Sequence, residues 1–155
     1  MYRIYLDLDG CFSNFHKRVR QVYKDDWSDK IWPIIDKVPN LFLELELMDG
    51  AKPAFDEILT YGYPVEILTA LPKPTHQLVS APKDKIAWVR NNLHPTIQVN
   101  CSFSWKGKLL WVGPNNILID DMTRNIDAWN DAGGIGIKHS GDWEDTLDKL
   151  RSVVL

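Results

Sequence analysis

The stretch Asp7-Leu8-Asp9-Gly10, which directly follows the apolar residues 2–6, decides how this chain is interpreted. Two carboxylates at the end of a strand repel each other in a partly desolvated site. A metal ion, a shared proton or a basic side chain is therefore needed between them. A second acidic pair, Asp120-Asp121, closes another apolar run at 117–119. The two pairs predict one metal site that the fold assembles from distant parts of the chain.

Strand-like and helix-like segments alternate over most of the sequence. Short apolar runs predict strands at 2–6, 65–68, 96–99, 117–119 and 135–137. Their continuous apolar character is typical of parallel strands that are buried on both faces. Amphipathic segments between them predict helices at 51–61, 82–93, 123–132 and 142–153. In the segment 82–93, Ile86, Val89 and Leu93 share the expected apolar face. The alternation favours βαβ units and a parallel central sheet.

Residues 12–47 interrupt this alternation. They contain a helix-like segment that begins near Phe15 and a shorter one at 31–38, which Pro33 starts or bends. We expect this region to form a small helical cap over the carboxyl ends of the strands. The chain is then a single domain of 155 residues, whose core comprises 1–11 and 48–155.

Composition and charge narrow the function classes. The net charge of −3 gives no support for stable nucleic-acid binding, which favours a basic surface. Cys11 and Cys101 are too few for a disulfide framework, so a reducing compartment is expected. No apolar signal segment is evident, and no run approaches the roughly 18 apolar residues needed to span a bilayer. A cytoplasmic protein without membrane contact is predicted.

Further polar residues fall near the same edge of the predicted sheet. Thr69 follows the second strand and Lys108 precedes the fourth. Ligands of open α/β sheets bind at the carboxyl ends of the strands, and hard oxygen ligands suit Mg²⁺. Each residue alone also has a plain structural explanation; Asp120-Asp121, for example, could cap the helix near Thr123. Together they favour a phosphate and Mg²⁺ site. A calcium loop is excluded, because its sixth and twelfth positions hold Phe12 and Arg18.

These residues carry a family resemblance. In order, Asp7-Leu8-Asp9-Gly10, Ile67-Leu68-Thr69, Lys108 and Ile119-Asp120-Asp121 resemble the four motifs of the haloacid dehalogenase-like phosphatases. Within that superfamily the chain is most similar to the 5′(3′)-deoxyribonucleotidases. The further matching positions are Phe15, residues 39–46 with 50–51, 85–89, 108–113 and 142–143. The resemblance implies a Rossmann-like three-layer sandwich with a helical cap inserted after the first strand.

The resemblance also implies roles for individual residues. Asp7 would be the nucleophile that forms an aspartyl-phosphate, and Asp9 would act as general acid and base. Thr69 and Lys108 would bind the transferred phosphoryl group. Mg²⁺ would be held by the Asp7 side chain, the Asp9 backbone carbonyl and Asp120. The remaining roles go to Asp121, which would orient a metal-bound water, and to Phe15, Phe42 and Lys73, which would bind substrate.

The predicted function is Mg²⁺-dependent hydrolysis of nucleoside or deoxynucleoside monophosphates. Ala70 departs from the nucleotidases, which carry a second hydroxyl at this position, so the phosphatase chemistry is better supported than the nucleotide preference. A phosphatase for another small phosphate ester or for a nucleic-acid end is the main alternative. A receiver-type signalling domain fits less well because its motif order differs, and a non-catalytic phosphate-binding domain is a further alternative. A homodimer, and a pocket role for Trp27 and Trp32, remain open.

Overall fold

The structure, a computed structural model, describes residues 1–24, 28–73 and 78–155. Trp27 lies outside these residues. In the described part of the chain, five parallel strands form one sheet in the order β3-β2-β1-β4-β5. The strands are β1 (Arg3–Leu6), β2 (Val65–Ala70), β3 (Val99–Ser102), β4 (Asn116–Asp120) and β5 (Ile135–Lys138). The predicted parallel α/β sheet is confirmed.

Helices cover both faces of the sheet and complete the three-layer sandwich. They are α1 (Phe15–Val22), α2 (Trp32–Ile35), α3 (Ala51–Leu59), α4 (Ala81–Asn92), α5 (Thr123–Asp131) and α6 (Trp143–Val154), with 3₁₀ turns at Asp29–Ile31 and Lys106–Trp111. On one face, Ile4 and Leu6 pack in a large core with residues of α3, α4 and α6. On the other face, Tyr5 packs in a smaller core with Trp129 of α5. Neighbouring residues of β1 thus point to opposite layers, as the pleat of a strand requires.

The carboxyl ends of the central strands lie at one edge because the register is parallel. Leu6 of β1 pairs with Ile67 of β2 and with Ile119 of β4. Asp7 therefore follows β1 near the level where Thr69 lies one residue before the end of β2 and Asp120 ends β4. The topology alone brings these three residues to one edge of the sheet.

The third strand begins later than its sequence pattern predicts. The predicted strand covered 96–99, whereas β3 spans Val99–Ser102. His94 accounts for the shift, because its Nδ1 accepts hydrogen bonds from the backbone N–H groups of Thr96 at 3.1 Å and Ile97 at 3.0 Å. These bonds hold the chain in a turn. The strand then continues through the polar Asn100, whose amide bonds the carbonyl of Ile67 on β2.

The segment between β1 and α3 holds α1, a 3₁₀ turn and α2. Its ends meet at an isolated bridge between Ser13 and Leu47. The predicted helix at 31–38 is shorter in the structure, where α2 spans only Trp32–Ile35 with Pro33 in its first turn. The division into a core and a cap stays a prediction. Within the described residues, none of the helices has both the length and the apolar character needed to cross a membrane.

Candidate active site

A buried lysine joins two acidic strand ends. Lys108 Nζ lies 2.8 Å from Asp7 Oδ1 and 2.7 Å from Asp120 Oδ2. All three residues are buried, and Asp120 has no exposed surface. Charge-assisted hydrogen bonds of this length are stronger than those between neutral groups. Removing either partner would leave an unpaired buried charge, which is strongly destabilising. Lys108 therefore fixes the carboxylates of β1 and β4 relative to each other.

Burial and charge oppose each other in this cluster. Burial alone lowers the pKa of Lys108, but Asp7 and Asp120 outweigh it, so the lysine pKa lies above its ordinary value. For Asp7, burial and the nearby Asp120 raise the pKa well above the usual range, and Lys108 offsets only part of this increase. The cluster therefore holds more negative charge than one lysine can balance. A further cation would stabilise Asp7 as a carboxylate.

Asp121 lies next to Asp7 with an unused oxygen. Its Oδ1 is buried and has no hydrogen-bond partner in the part of the chain that the structure describes. Ligand atoms of Asp7, Cys11 and Asp121 lie within 4.8 Å of one another. Burial, and next the charge of Asp7, raise the pKa of Cys11, so its sulfur stays a neutral thiol and is a poor ligand for a hard cation. The two carboxylates are thus the oxygen donors of this group.

Gly10 makes the position of Asp121 possible. Its φ of 86° is in the left-handed region, and a Cβ built on it would lie 2.1 Å from Asp121 Oδ2. Any side chain at this position would displace the carboxylate. The glycine of the Asp7-Leu8-Asp9-Gly10 stretch therefore leaves space for the acidic pair of β4.

Asp120 and Asp121 differ in how fully their oxygens are engaged. Asp120 Oδ2 accepts hydrogen bonds from Lys108 and from the Asn125 amide, the latter at 2.8 Å, and its Oδ1 accepts the N–H of Met122 at 2.9 Å. Asp121, by contrast, keeps one oxygen that has no hydrogen-bond partner among the described residues. Burial and Asp120 raise the pKa of Asp121 to about 6. The geometry makes Asp121 the more available cation ligand of the two.

A second buried lysine holds the other carboxylate of the first motif. Lys85 Nζ donates to Asp9 Oδ2 at 2.7 Å, to Thr69 Oγ1 at 2.9 Å and to the carbonyl of Ala70 at 3.1 Å. Its three N–H donors are therefore all used. Asp9 Oδ1 accepts a hydrogen bond from Ser13 at 2.9 Å. Ser13 and Lys85 thus hold both oxygens of Asp9.

The sequence pattern did not identify Lys85 as a site residue. It predicted an apolar face of α4 that includes Ile86, but Ile86 is 37% exposed and Lys85 is 2% exposed. The buried face instead follows Ala81, Lys85, Trp88 and Val89. The spacing i, i+4, i+7 and i+8 could have predicted that Lys85 is buried, but only if a lysine is allowed on an otherwise apolar helix face.

These groups open into a cleft of about 570 Å³. Asp7, Asp9, Thr69, Lys108 and Asp121 all contribute to its lining, together with Lys85 and Asn125. Ligand pockets of roughly 300–1,000 Å³ take molecules the size of a nucleotide or a sugar phosphate. The cleft therefore has space for a substrate larger than a phosphate group.

Aromatic residues of the segment between β1 and α3 form part of the wall. Phe15 and Phe42 are stacked with ring centroids 5.7 Å apart, and Lys85 Nζ lies 4.5 Å from the Phe42 centroid. Trp32 and Lys73 also line the cleft. The structure thus brings the sequence-predicted substrate residues, Phe15, Phe42 and Lys73, to the same cleft as the acidic motifs. Trp32 joins them, a position that the sequence left open.

Trp143, at the start of α6, supports the loop after Asp9 from behind. Its indole N–H donates to the carbonyl of Cys11 at 2.9 Å, and its ring lies 4.6 Å from that of Phe12. His139 packs on the same indole with ring centroids 4.3 Å apart. Burial lowers the pKa of His139, which favours a neutral ring in this support.

Comparisons with known proteins show the fold. No family model matches the sequence, and no curated protein does. A haloacid dehalogenase-like family hydrolase from Xanthomonas campestris has a TM-score of 0.68 at 12% identity, covering 99% of this chain and 92% of its own. A hydrolase from Pseudomonas syringae has a TM-score of 0.61 at 10% identity and covers all of both chains.

A third solved structure is the D,D-heptose 1,7-bisphosphate phosphatase from Burkholderia thailandensis. Its TM-score is 0.55 at 14% identity, covering 96% of this chain and 85% of its own. The likeness to 5′(3′)-deoxyribonucleotidases stays a prediction, because these three neighbours include no nucleotidase. At such low identity the comparison shows architecture, and the chain has the haloacid dehalogenase-like fold.

Proposed function

We propose that this protein is a phosphomonoester hydrolase in which Asp7 is the nucleophile. One observation carries the proposal: the Asp7 carboxylate is fixed by a buried lysine and adjoins the unpartnered buried oxygen of Asp121 in a cleft. A carboxylate in this setting can attack phosphorus once positive charge offsets the repulsion between two anions.

The donor set fits a divalent cation. Asp7 and Asp121 would hold it through carboxylate oxygens, with the Asp9 backbone carbonyl as a further oxygen ligand, and Mg²⁺ suits such hard donors. When bound, Mg²⁺ supplies positive charge that offsets the charge of the nucleophile and of the phosphate. The sequence-based expectation placed Asp120 on the metal and Asp121 outside it. We propose the reverse, because both oxygens of Asp120 already accept hydrogen bonds.

The other residues would then divide the remaining tasks. Lys108 would keep Asp7 oriented and present positive charge to the transferred phosphoryl group. Asp9, exposed over 26% of its side chain, can reach a leaving oxygen and donate a proton to it. After the aspartyl-phosphate has formed at Asp7, the Asp9 carboxylate would take a proton from the attacking water. Thr69 lies in hydrogen-bond contact with Lys85 and would bind a phosphoryl oxygen.

We propose nucleoside or deoxynucleoside monophosphates as substrates. The stacked Phe15 and Phe42 rings on the wall of the cleft support this, because aromatic faces bind nucleobases. Lys73 on the same cleft is a candidate for a phosphate contact. The alternative is a phosphatase for a different small phosphate ester. It would use the same buried residues, and only the part of the substrate that contacts the cleft wall would differ.

Phosphate release from a panel of nucleoside monophosphates, sugar phosphates and p-nitrophenyl phosphate, with and without Mg²⁺, tests the proposal. We expect Mg²⁺-dependent release, and we expect Asp7→Asn to abolish it while the circular dichroism spectrum is unchanged. Asp127→Asn is the matched control, because Asp127 is an exposed residue of α5. Full activity of Asp7→Asn would refute the nucleophile assignment. Turnover of sugar phosphates without turnover of nucleotides would refute the substrate class alone.

A further inference from the structure

Arg124, in the first turn of α5, is held against an aromatic ring on the wall of the cleft. Its guanidinium carbon lies 4.9 Å from the centroid of the Trp105 ring. Both residues line the same cleft as Asp7, Lys108 and Asp121. Stacking on an indole uses the flat face of a guanidinium and leaves its N–H donors, which lie in the plane, available.

These donors are not used by the protein where the structure describes it. No carboxylate of the described residues lies within ion-pair distance of Arg124, and no hydrogen bond from its guanidinium to them is formed. The two lysines of the site differ from it, since Lys85 and Lys108 are both paired with carboxylates. Arg124 is thus a positioned cation in the cleft with free hydrogen-bonding capacity.

The depth of Arg124 indicates which part of a substrate it meets. Asp7, Thr69 and Lys108 are buried at the floor, with exposed fractions of 6%, 1% and 2%, whereas Arg124 is exposed at the mouth. In phosphoryl transfer the leaving group lies roughly opposite the nucleophile. A nucleophile at the floor therefore directs the leaving group towards the mouth, where Arg124 lies.

We propose that Arg124, positioned by Trp105, determines specificity by binding a second phosphate group carried on the leaving side of the ester. The inference rests on the proposed phosphomonoester hydrolysis at Asp7, and it revises the proposed substrate class from nucleoside monophosphates to small esters that carry a second phosphate. A planar guanidinium with free N–H donors can donate two parallel hydrogen bonds to the oxygens of one phosphate. A monophosphate bound at the floor of the cleft has no second phosphate at the mouth to accept them.

The experiment compares adenosine 3′,5′-bisphosphate, adenosine 5′-monophosphate and p-nitrophenyl phosphate as substrates. We expect the wild-type protein to have the highest kcat/KM for the bisphosphate. Arg124→Gln should lower kcat/KM for the bisphosphate about tenfold more than for p-nitrophenyl phosphate, because charged hydrogen bonds are lost only with the former. Trp105→Leu should lower the same ratio in the same direction, since the guanidinium then loses its support.

Lys106→Gln is the matched control. Lys106 also lies over the Trp105 ring, at 5.6 Å, but it does not line the cleft. We expect this variant to keep the substrate ratio. If Arg124→Gln lowers kcat/KM equally for all three substrates, the inference is overturned, because Arg124 then contacts the reacting phosphate. Preference for a 5′-phosphorylated dinucleotide over the bisphosphate would also overturn it, in favour of a nucleic-acid end.

Binding measured by calorimetry separates this inference from the proposed function. If the wild-type protein hydrolyses none of the three esters, the phosphatase proposal fails. The Arg124 site is still supported if adenosine 3′,5′-bisphosphate binds more tightly than the monophosphate and Arg124→Gln removes that preference. It is overturned if the wild-type protein binds both nucleotides equally. Unchanged thermal unfolding of Arg124→Gln would confirm that the variant is folded.

Discussion

The cleft contains two buried lysines that differ in the number of carboxylates with which they pair. Lys108 lies between two buried carboxylates, Asp7 after β1 and Asp120 at the end of β4. Lys85 has a single carboxylate partner, Asp9, and its remaining donors go to a hydroxyl and a carbonyl. The first lysine compensates charge that would otherwise be buried and unpaired. The second mainly orients groups that remain in contact with the cleft.

Removing Lys108 should therefore have the largest effect. Lys108→Met leaves Asp7 and Asp120 buried beside each other without their shared cation, and breaking such a pair costs about 3–5 kcal/mol. We expect loss of phosphate release and a correspondingly lower free energy of unfolding in urea. Lys106→Met, an exposed position two residues earlier, should change stability by less than about 0.5 kcal/mol. Equal stability of the two variants would contradict the charge-compensating role.

Removing Lys85 should impair catalysis more than folding. Lys85→Met frees Asp9 and Thr69 to adopt other orientations, and losing such a supporting contact typically reduces activity about 10- to 100-fold. We expect kcat to fall while KM changes little, and we expect Lys85→Arg to recover part of the loss. Lys83→Met, on the exposed side of α4, is the control. If KM rises and kcat is unchanged, Lys85 contacts substrate and the distinction between the two lysines is wrong.

The excess negative charge beside Lys108 should make the stability of the metal-free protein depend on pH. The pKa of Asp121 rises from 3.8 to about 6 on folding, so the folded state binds protons more tightly. The contribution of Asp121 to the free energy of unfolding is then largest at low pH and falls by up to about 3 kcal/mol as pH rises through this window. Thermal unfolding should show that the Tm of the wild-type protein falls relative to that of Asp121→Asn as pH rises from about 4 to about 7. A constant difference in Tm between the two proteins would contradict this prediction.

Mg²⁺ provides the control for that pH dependence. The ion should restore the stability of the wild-type protein at neutral pH and raise its Tm, because it binds the deprotonated carboxylates. The effect should be weaker in Asp121→Asn than in Asp120→Asn if Asp121 is the direct ligand. The opposite order would support the sequence-based assignment of Asp120 to the metal.

The smallest effect is expected where Lys85 meets the aromatic wall. Phe42→Ala removes the ring beneath the Lys85 ammonium and one partner of the Phe15 stack. We expect KM to rise several-fold for nucleotides and less for p-nitrophenyl phosphate, because stacking contributes about 1–3 kcal/mol per base. Equal changes in KM for both substrates would remove the base-stacking role.

The contrast between the lysines also explains what the sequence revealed. Asp7, Thr69 and Asp120 follow apolar strands, and parallel pairing places strand ends together, so their convergence was predictable. Lys85 was not, because a lysine in an amphipathic helix is expected on the solvent side. The sequence also could not predict which of Asp120 and Asp121 is the more available cation ligand. It depends on which oxygens Lys108, Asn125 and a backbone N–H occupy.

The bond from the Trp143 indole to the Cys11 carbonyl has a consequence for folding. It joins residues 132 positions apart, and the bond from Lys108 to Asp7 spans 101 positions. Contacts of such long range form slowly, because a large loop must close before they can stabilise anything. On a ribosome, Asp7 and Cys11 are synthesised before Lys108 and Trp143, so these contacts cannot form until the later residues have been added. Assembly of the loop after Asp9 is therefore a late step in folding, and a chain interrupted before α6 would lack the Trp143 contact that supports this loop.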